Sequence, residues 1–332
     1  MATSNPVRPG TMEAWILERY GSPANLALRE VPYPTFRDDH EVLVRVRAAS
    51  LNPLDRHMLD PPFFLRRGEG FRRPRTGRVG SDLAGTVELV GAGVPDLRVG
   101  DEVFGVGRGG FAAYAVADRS QLVPKPARLT FEEAAAIPIA AVTALQGLRD
   151  RAQLRPGQRV LVNGASGGVG TFAVQIAQAL GARVSSVCSP PNVEWNRSRG
   201  VERVFDYTRE DFTRSGERYD VIFDTQLNHS LAAYRRCLNR PGLLLVVGAG
   251  AGPATRLIGR LIRTVIGSKF TGPRTRFFVA SIKGPDLLTL KGWVDEGKIT
   301  PVVDRQYPLA HLPDAFQYLI EGHARGKIVV SM

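Results

Sequence analysis

Residues 159–181 read RVLVNGASGGVGTFAVQIAQALG, and no other stretch limits the fold as tightly. An apolar strand, RVLVN, runs into Gly164, Gly167 and Gly170 at G-x-x-G-x-x-G spacing, and helical periodicity follows at once. Strand, tight turn and helix N-terminus in that order form the pyrophosphate cradle of a dinucleotide fold. Glycine lets the backbone approach closely, unpaired first-turn amides and the helix dipole attract an anion, and the Ser166 hydroxyl adds a donor. No Lys-Ser/Thr pair follows the loop, so it is not a Walker motif, and phosphoryl transfer is not expected.

The flanking sequence says what carries the cradle. Beyond residue 159, apolar strands alternate with amphipathic helices, which predicts βαβ units and a parallel sheet. The first 130 residues differ: short strands over 13–17, 41–48, 83–90, 102–106 and 112–116 are punctuated by glycine and proline. Thr130 and Glu133 read as a capping box opening a single helix, TFEEAAAIPIAAVTALQGL. His229 is expected to cap the helix SLAAYRRCL, and basic helical periodicity covers 254–266 with Arg256, Arg260 and Arg263 on one face. The tail returns to a strand, a helix and the strand KIVVS, so a nucleotide domain is expected to be inserted in a β-rich one. The fold class is α/β.

Composition excludes several alternatives. Cys188 and Cys237 are the only cysteines, and no His/Cys cluster has metal spacing, so neither a disulfide framework nor a metal site is expected. No apolar run reaches bilayer length, and the first residues lack a signal-like apolar core, which predicts a cytoplasmic protein. Net charge is +12, mostly from arginine, with a dense patch over residues 66–78. Such a surface suits anionic partners, but without an RNA-binding signature nucleic acid is not an expected one.

The second strand of the alternating region, RVSSVC, selects the cofactor. NAD sites usually place a carboxylate at this tip to hold the ribose hydroxyls. Here the tip is Ser189-Pro190-Pro191-Asn192, and Glu194 lies beyond the turn. Ser189 and Asn192 suit a 2′-phosphate, which favours NADPH. Arg197 reads equally as a phosphate partner or as surface charge.

Longer motifs extend the argument. AASLNPLD (48–55), GSDLAGTVELVGAGVPDLRVGDEVFG (80–105), GGFAAYAV (109–116), AAAIPIAAVTALQGL (134–148), VLVNGASGGVGTFAVQIA (160–177), VFDYTREDF (204–212) and HARGKIVV (323–330) span nearly the whole chain. Together they resemble the zinc-independent quinone oxidoreductase branch of the medium-chain dehydrogenase/reductase superfamily. Within it, the nearest likeness is to the reticulon-interacting mitochondrial subgroup and its bacterial relatives. The resemblance implies a GroES-like catalytic domain over 1–136 and 281–332, a Rossmann NADP domain over 137–280, and an active site in the cleft between them. It also implies cofactor contacts. Ser166, Gly168 and Val169 match the pyrophosphate loop, Ser189 the 2′-phosphate contact and Tyr207 the adenosine pocket. Thr143, Val247, Gly248 and Phe278 match the nicotinamide end, and His323, Ala324 and Arg325 a further cofactor-facing turn. Thr225 lies in the dinucleotide wall, where Asp-Thr-Gln-Leu replaces the subgroup's usual Asp-Asn-Val-Gly.

Where zinc-dependent relatives carry Gly-His-Glu, this chain has Gly80-Ser81-Asp82. The resemblance therefore implies hydride transfer from NADPH to an already electrophilic acceptor, a quinone or an α,β-unsaturated carbonyl. Asn52, Asp55 and His57, in the family's substrate-cleft segment, become the catalytic candidates. Asn52 is expected to hydrogen-bond the acceptor oxygen, Asp55 to orient its neighbours and His57 to donate a proton, although solvent can replace His57. Two alternatives stay open: an enoyl reductase with a dedicated anionic or thioester-linked substrate, and an NADPH-binding protein with a non-redox role. Strand-forming segments at 243–247 and 277–280 are compatible with a sheet continued into a homodimer.

Overall fold

The computed structural model of the chain describes residues 10–62, 66, 70, 73–248, 259, 273–322 and 324–332. The helix expected over 254–266, apart from residue 259, and the cofactor candidate His323 lie outside these residues. Two compact units emerge: residues 1–139, 282–295 and 301–332 form the first, and 140–281 with 296–300 the second.

In the first unit, β1 (Thr11–Leu17) and β2 (Leu26–Pro32) make an antiparallel pair. A seven-stranded sheet runs β14 (Val303–Pro308), β15 (Lys327–Ser331), β3 (Glu41–Leu51), β4 (Asp82–Val90), β5 (Glu102–Val106), β7 (Leu122–Pro124), and β6 (Tyr114–Asp118) also pairs with β3. Strand β3 explains itself. Arg45 and Arg47 are exposed while Val44, Val46 and Ala48 between and beside them are buried, the alternation of a strand with one face on a core. Pro53 then opens α1 (Pro53–Leu59) at a position where its missing N–H costs nothing.

The Thr130–Glu133 capping box forms: Thr130 Oγ1 accepts the Glu133 N–H at 3.2 Å, and the Glu133 carboxylate accepts the Thr130 N–H at 2.9 Å. The helix it opens is shorter than its sequence suggested. It divides into α2 (Phe131–Ala135) and α3 (Pro138–Leu145), followed by a π-helical turn over Gln146–Arg151. Pro138 lacks a donor and disfavours a helical residue before it, which breaks the run.

The second unit holds a six-stranded parallel sheet in the order β10 (Arg203–Asp206), β9 (Arg183–Cys188), β8 (Arg159–Asn163), β11 (Tyr219–Asp224), β12 (Leu238–Val246), β13 (Arg274–Phe277). Numbered within the unit this is 3-2-1-4-5-6, the doubly wound arrangement whose strand order reverses between β8 and β11. The glycine loop leaves β8 beside that switch point and enters α4 (Gly168–Ala179). Ser230, not His229, caps α6 (Leu231–Arg236) by accepting the Ala233 N–H at 3.2 Å. The His229 ring instead packs edge-on against Phe212 and Tyr234.

Candidate active site

At the glycine loop, two glycines are structural and the rest face outward. A Cβ on Gly170 would overlap the Gly164 carbonyl, and one on Gly164, itself at φ +90°, would overlap Thr225 Oγ1. Gly167 is the N-cap of α4 at φ −79°, and its nearest neighbour to an added Cβ is 3.7 Å away. Ser166, Gly167, Gly168 and Val169 are half-exposed between buried Ala165 and Gly170. No side chain caps the helix. First-turn amides without a cap, on open backbone, are the donor set a pyrophosphate requires, so the residues fit a dinucleotide. Thr225 closes the wall behind Gly164 and is itself fixed by its Oγ1 donating to the Asn163 carbonyl at 2.9 Å. Leu227 holds φ +48° where the subgroup's motif ends in glycine, and its side chain is buried in the unit's core.

At the β9 tip, Ser189 Oγ accepts from Asn192 Nδ2 at 2.8 Å, which leaves the hydroxyl proton to be donated outward. Asn192 is buried, so it supports Ser189 from behind rather than reaching a phosphate itself. Tyr207, just past the end of the neighbouring strand β10, is 62% exposed. The nearby carboxylate of Asp206 is occupied by the Thr208 N–H and hydroxyl at 2.9 and 2.7 Å. Glu194 and Arg197 are exposed on α5 (Val193–Ser198). Burial, with Asp206 adding to it, pushes the Cys188 thiol up to about 11, and burial also raises that of Cys237, so neither is a reactive thiolate.

Of the nicotinamide-end candidates, Thr143 is half-buried on α3. Val247 and Gly248 follow β12, where the Val247 N–H donates to the Asp224 carbonyl at 2.9 Å and a Cβ on Gly248 would crowd the Thr225 carbonyl at 2.8 Å. Phe278 follows β13 and lies under the Arg151 guanidinium. In the first unit, Ala324 packs on the core and exposed Arg325 donates its backbone N–H to Asp304 at 3.0 Å.

The catalytic candidates are not arranged as the sequence suggested. Lys327, 3% exposed, donates to the Leu51 carbonyl at 2.9 Å and to Asn52 Oδ1 at 2.6 Å, and lies 3.3 Å from Asp82 Oδ2. That same Asp82 oxygen accepts from Ser50 Oγ at 2.9 Å and Asn52 Nδ2 at 2.8 Å, while Oδ1 accepts the Ile139 N–H at 3.0 Å. Both ends of the Asn52 amide are thus used inside the unit, and the group expected to face an acceptor oxygen is turned inward. Asp55 is also buried. Its Oδ2 accepts the Asn52 N–H at 2.7 Å, its Oδ1 has no hydrogen-bond partner, and burial pushes the carboxyl up to about 7. Burial lowers the Lys327 ammonium pKa, opposed by Asp82 and Asp55. His57 is half-buried, and burial followed by the Arg56 charge holds it below the ordinary imidazole value. Sequence reasoning missed Lys327 because it sits 275 residues from Asn52, and only the β15–β3 pairing brings them together.

A cavity of about 670 Å³ opens in the first unit, with Ser81, Met58, Tyr20, Arg78 and Arg108 among its walls. His57 is not one of them. Among the described residues no group of three His, Cys, Asp or Glu can hold a metal, and no helix is long and apolar enough to cross a membrane.

Comparison with known proteins fits this geometry. The alcohol dehydrogenase GroES-like domain family matches residues 38–127, and the family described as zinc-binding dehydrogenase matches 199–330. Mouse mitochondrial NAD(P)H oxidoreductase RTN4IP1 is 32% identical over 99% of this chain and 91% of its own length. The chain belongs to the quinone oxidoreductase branch of the medium-chain dehydrogenase/reductase superfamily. A second relative of this oxidoreductase, the chloroplastic NADPH-dependent alkenal/one oxidoreductase of Arabidopsis thaliana, is 32% identical over 99% of the chain and 81% of its own length. Among solved structures, the quinone oxidoreductase of Coxiella burnetii superposes with a TM-score of 0.84 at 27% identity, covering 97% of this chain and 99% of that one.

Proposed function

We propose that this oxidoreductase uses NADPH to reduce conjugated carbonyl acceptors, quinones or enones. The observation that carries the cofactor half is the open amide run at Ser166–Val169 together with the β9 tip, where Ser189 stands in place of a carboxylate. The acceptor half rests on Ser81, which occupies the position of the metal-binding histidine in zinc-dependent relatives. With no ligand residue there to polarise an alcohol, the acceptor must itself stabilise the charge that develops on oxygen.

When bound, the reduced nicotinamide supplies a hydride to the acceptor. The chain's own residues bind, orient and exclude water. Gly167–Val169 take the pyrophosphate with backbone N–H groups, Ser189 donates to the 2′-phosphate, and Tyr207 covers the adenosine. Thr143, Val247, Gly248 and Phe278 flank the nicotinamide end, and Ala324 and Arg325 complete the cofactor contacts. His57 is neutral at neutral pH, so any proton it gives comes from a neutral imidazole or is shared with solvent. Asn52 and Asp55 act by fixing the start of α1, which carries His57.

A panel of quinones and enones, scored by loss of NADPH absorbance, tests the reading. Tight NADPH binding with no turnover of any acceptor would remove it. Ser189→Asp should shift the NADPH-to-NADH ratio of kcat/KM at least about tenfold towards NADH, since a carboxylate repels the 2′-phosphate and accepts from ribose hydroxyls. A cytoplasmic location belongs to the same proposal and is checked by cell fractionation. So does a homodimer joined through β13, the end strand of its sheet among the described residues, which light scattering decides.

A further inference from the structure

The cavity of the first unit has an unusual electrostatic character. Arg37, Arg78 and Arg108 line it, and none of its described wall residues is acidic. The three arginines are not equivalent. Arg108 is neutralised from behind, since its Nη1 lies 2.5 Å from the buried carboxylate of Glu41. Glu41 also accepts the backbone N–H of Arg37 at 2.6 Å, and these partners outweigh the effect of burial and hold its carboxyl below the ordinary value. Arg78 has no such counter-charge among the described residues. Among the described residues its side chain makes one hydrogen bond, from Nη2 to the Pro32 carbonyl at 2.8 Å. It is half-buried, and burial and the Arg108 charge both weaken its hold on its proton.

A guanidinium kept half out of water beside a second cation is costly unless something anionic completes it. The same cavity is lined by Ser81, which stands where zinc-dependent relatives carry histidine, and by apolar Leu17, Met58 and Val79. The lining therefore offers both apolar surface for a carbon chain and a cationic group for a negatively charged oxygen.

We propose that the cavity selects conjugated acceptors bearing an anionic group, held by Arg78 with Arg108 beside it. The inference rests on the reductase reading above and names its substrate class. Among the described arginines of the basic segment over 66–78, it assigns this role to Arg78, while Arg67 and Arg72 lie outside the described residues. Arg66 is spoken for by Asp60 at 2.8 Å and by the Tyr20 ring, and Arg73 and Arg75 are exposed. The anion can be a carboxylate on the acceptor itself or the phosphate of a carrier thioester, and both present the same chemistry to a guanidinium.

The test compares matched pairs on the NADPH-loaded enzyme: 4-oxopent-2-enoate against 3-penten-2-one, and crotonyl-coenzyme A against a neutral crotonyl thioester. The anionic member of at least one pair should have a kcat/KM higher by about tenfold or more, carried by KM, and which pair shows it identifies the anion's source. Arg78→Gln should collapse that ratio towards one, and Arg78→Lys should restore part of it. Because the ratio is taken within each variant, a general loss of activity cancels. Should Arg78→Gln fail to fold, the wild-type ratio at low and high salt decides, since screening must reduce a preference that is electrostatic. Equal use of charged and neutral partners, with turnover intact, overturns the anion site and leaves the reductase standing. Absence of turnover with every acceptor overturns the reductase reading instead. In that case calorimetry with the unreactive 4-oxopentanoate against pentan-2-one still tests the cavity, and equal binding of the two rejects it.

Discussion

The glycine loop of the second unit and the Lys327–Asp82 cluster of the first are both polar, both sit where a strand meets a helix, and have opposite purposes. At the loop, Ser166–Val169 are half-exposed and α4 has no side-chain cap, so backbone donors point outward. In the cluster, Lys327, Asp82, Asn52 and Ser50 are almost completely buried and spend their hydrogen bonds on one another. The first arrangement leaves its helix start uncapped and open. The second is complete in itself. Motif residues alone do not separate these cases, because what matters is whether the polar atoms have already found partners.

Substitutions can break this contrast at graded cost. The largest effect is expected from Lys327→Met, which leaves Asp82 as a buried charge without its cation and should lower unfolding free energy by about 3–5 kcal/mol in denaturant titration. NADPH affinity measured below the melting transition should stay within about twofold, because Lys327 belongs to the self-satisfied cluster. A large loss of affinity would show that the two regions are not separate in function.

Gly170→Ala comes next. Its Cβ would overlap the Gly164 carbonyl, so about 1–3 kcal/mol of stability should go together with dinucleotide binding, read by melting and by NADPH fluorescence.

A smaller, pH-dependent effect belongs to Asp55. Its carboxyl titrates at about 7 when folded, against an ordinary value of 3.8, so the folded state holds the extra proton between those limits. The stabilisation is therefore full at low pH and is lost as pH rises towards 7. Asp55→Asn keeps an acceptor for the Asn52 N–H without the charge. It should match the wild type in acid and exceed it by about 1–2 kcal/mol near pH 5, the gap widening further towards pH 7. A variant less stable than the wild type at every pH would reject this account.

Gly167→Ala should change least in stability, within about 1 kcal/mol, because its φ is ordinary and its surroundings are open. NADPH affinity should nevertheless fall, since the added methyl stands over the donor amides. Loss of affinity without loss of stability is the mark of a backbone that faces a ligand.

Much of the fold was legible because it depends on local pattern. RVLVN followed by three spaced glycines locates β8, the loop and α4, and the Thr130–Glu133 box marks a helix start correctly. Reading failed where a single residue overrode the pattern. Pro138 divides the helix that apolar periodicity ran together, and Ser230 outcompetes His229 as a cap because its short hydroxyl reaches the Ala233 N–H. At the proposed site, Gly164–Gly170 was readable as an open turn between strand and helix, and Ser189 as the residue that follows β9. Asn52 and Asp55 were legible as special residues but not as inward-facing ones, since their partners Asp82 and Lys327 lie on distant strands.

The dinucleotide unit could be read from the chain alone, for glycine spacing and strand–helix alternation express backbone geometry that few residue types allow. Tertiary structure alone decided which polar groups are free to act. It paired Lys327 with Asn52 across β15 and β3, backed Arg108 with Glu41, and left Arg78 facing a cavity with no acidic wall among the described residues. Burial and partnership arise from contacts between distant segments, and these set the charge, the direction and the availability of each side chain.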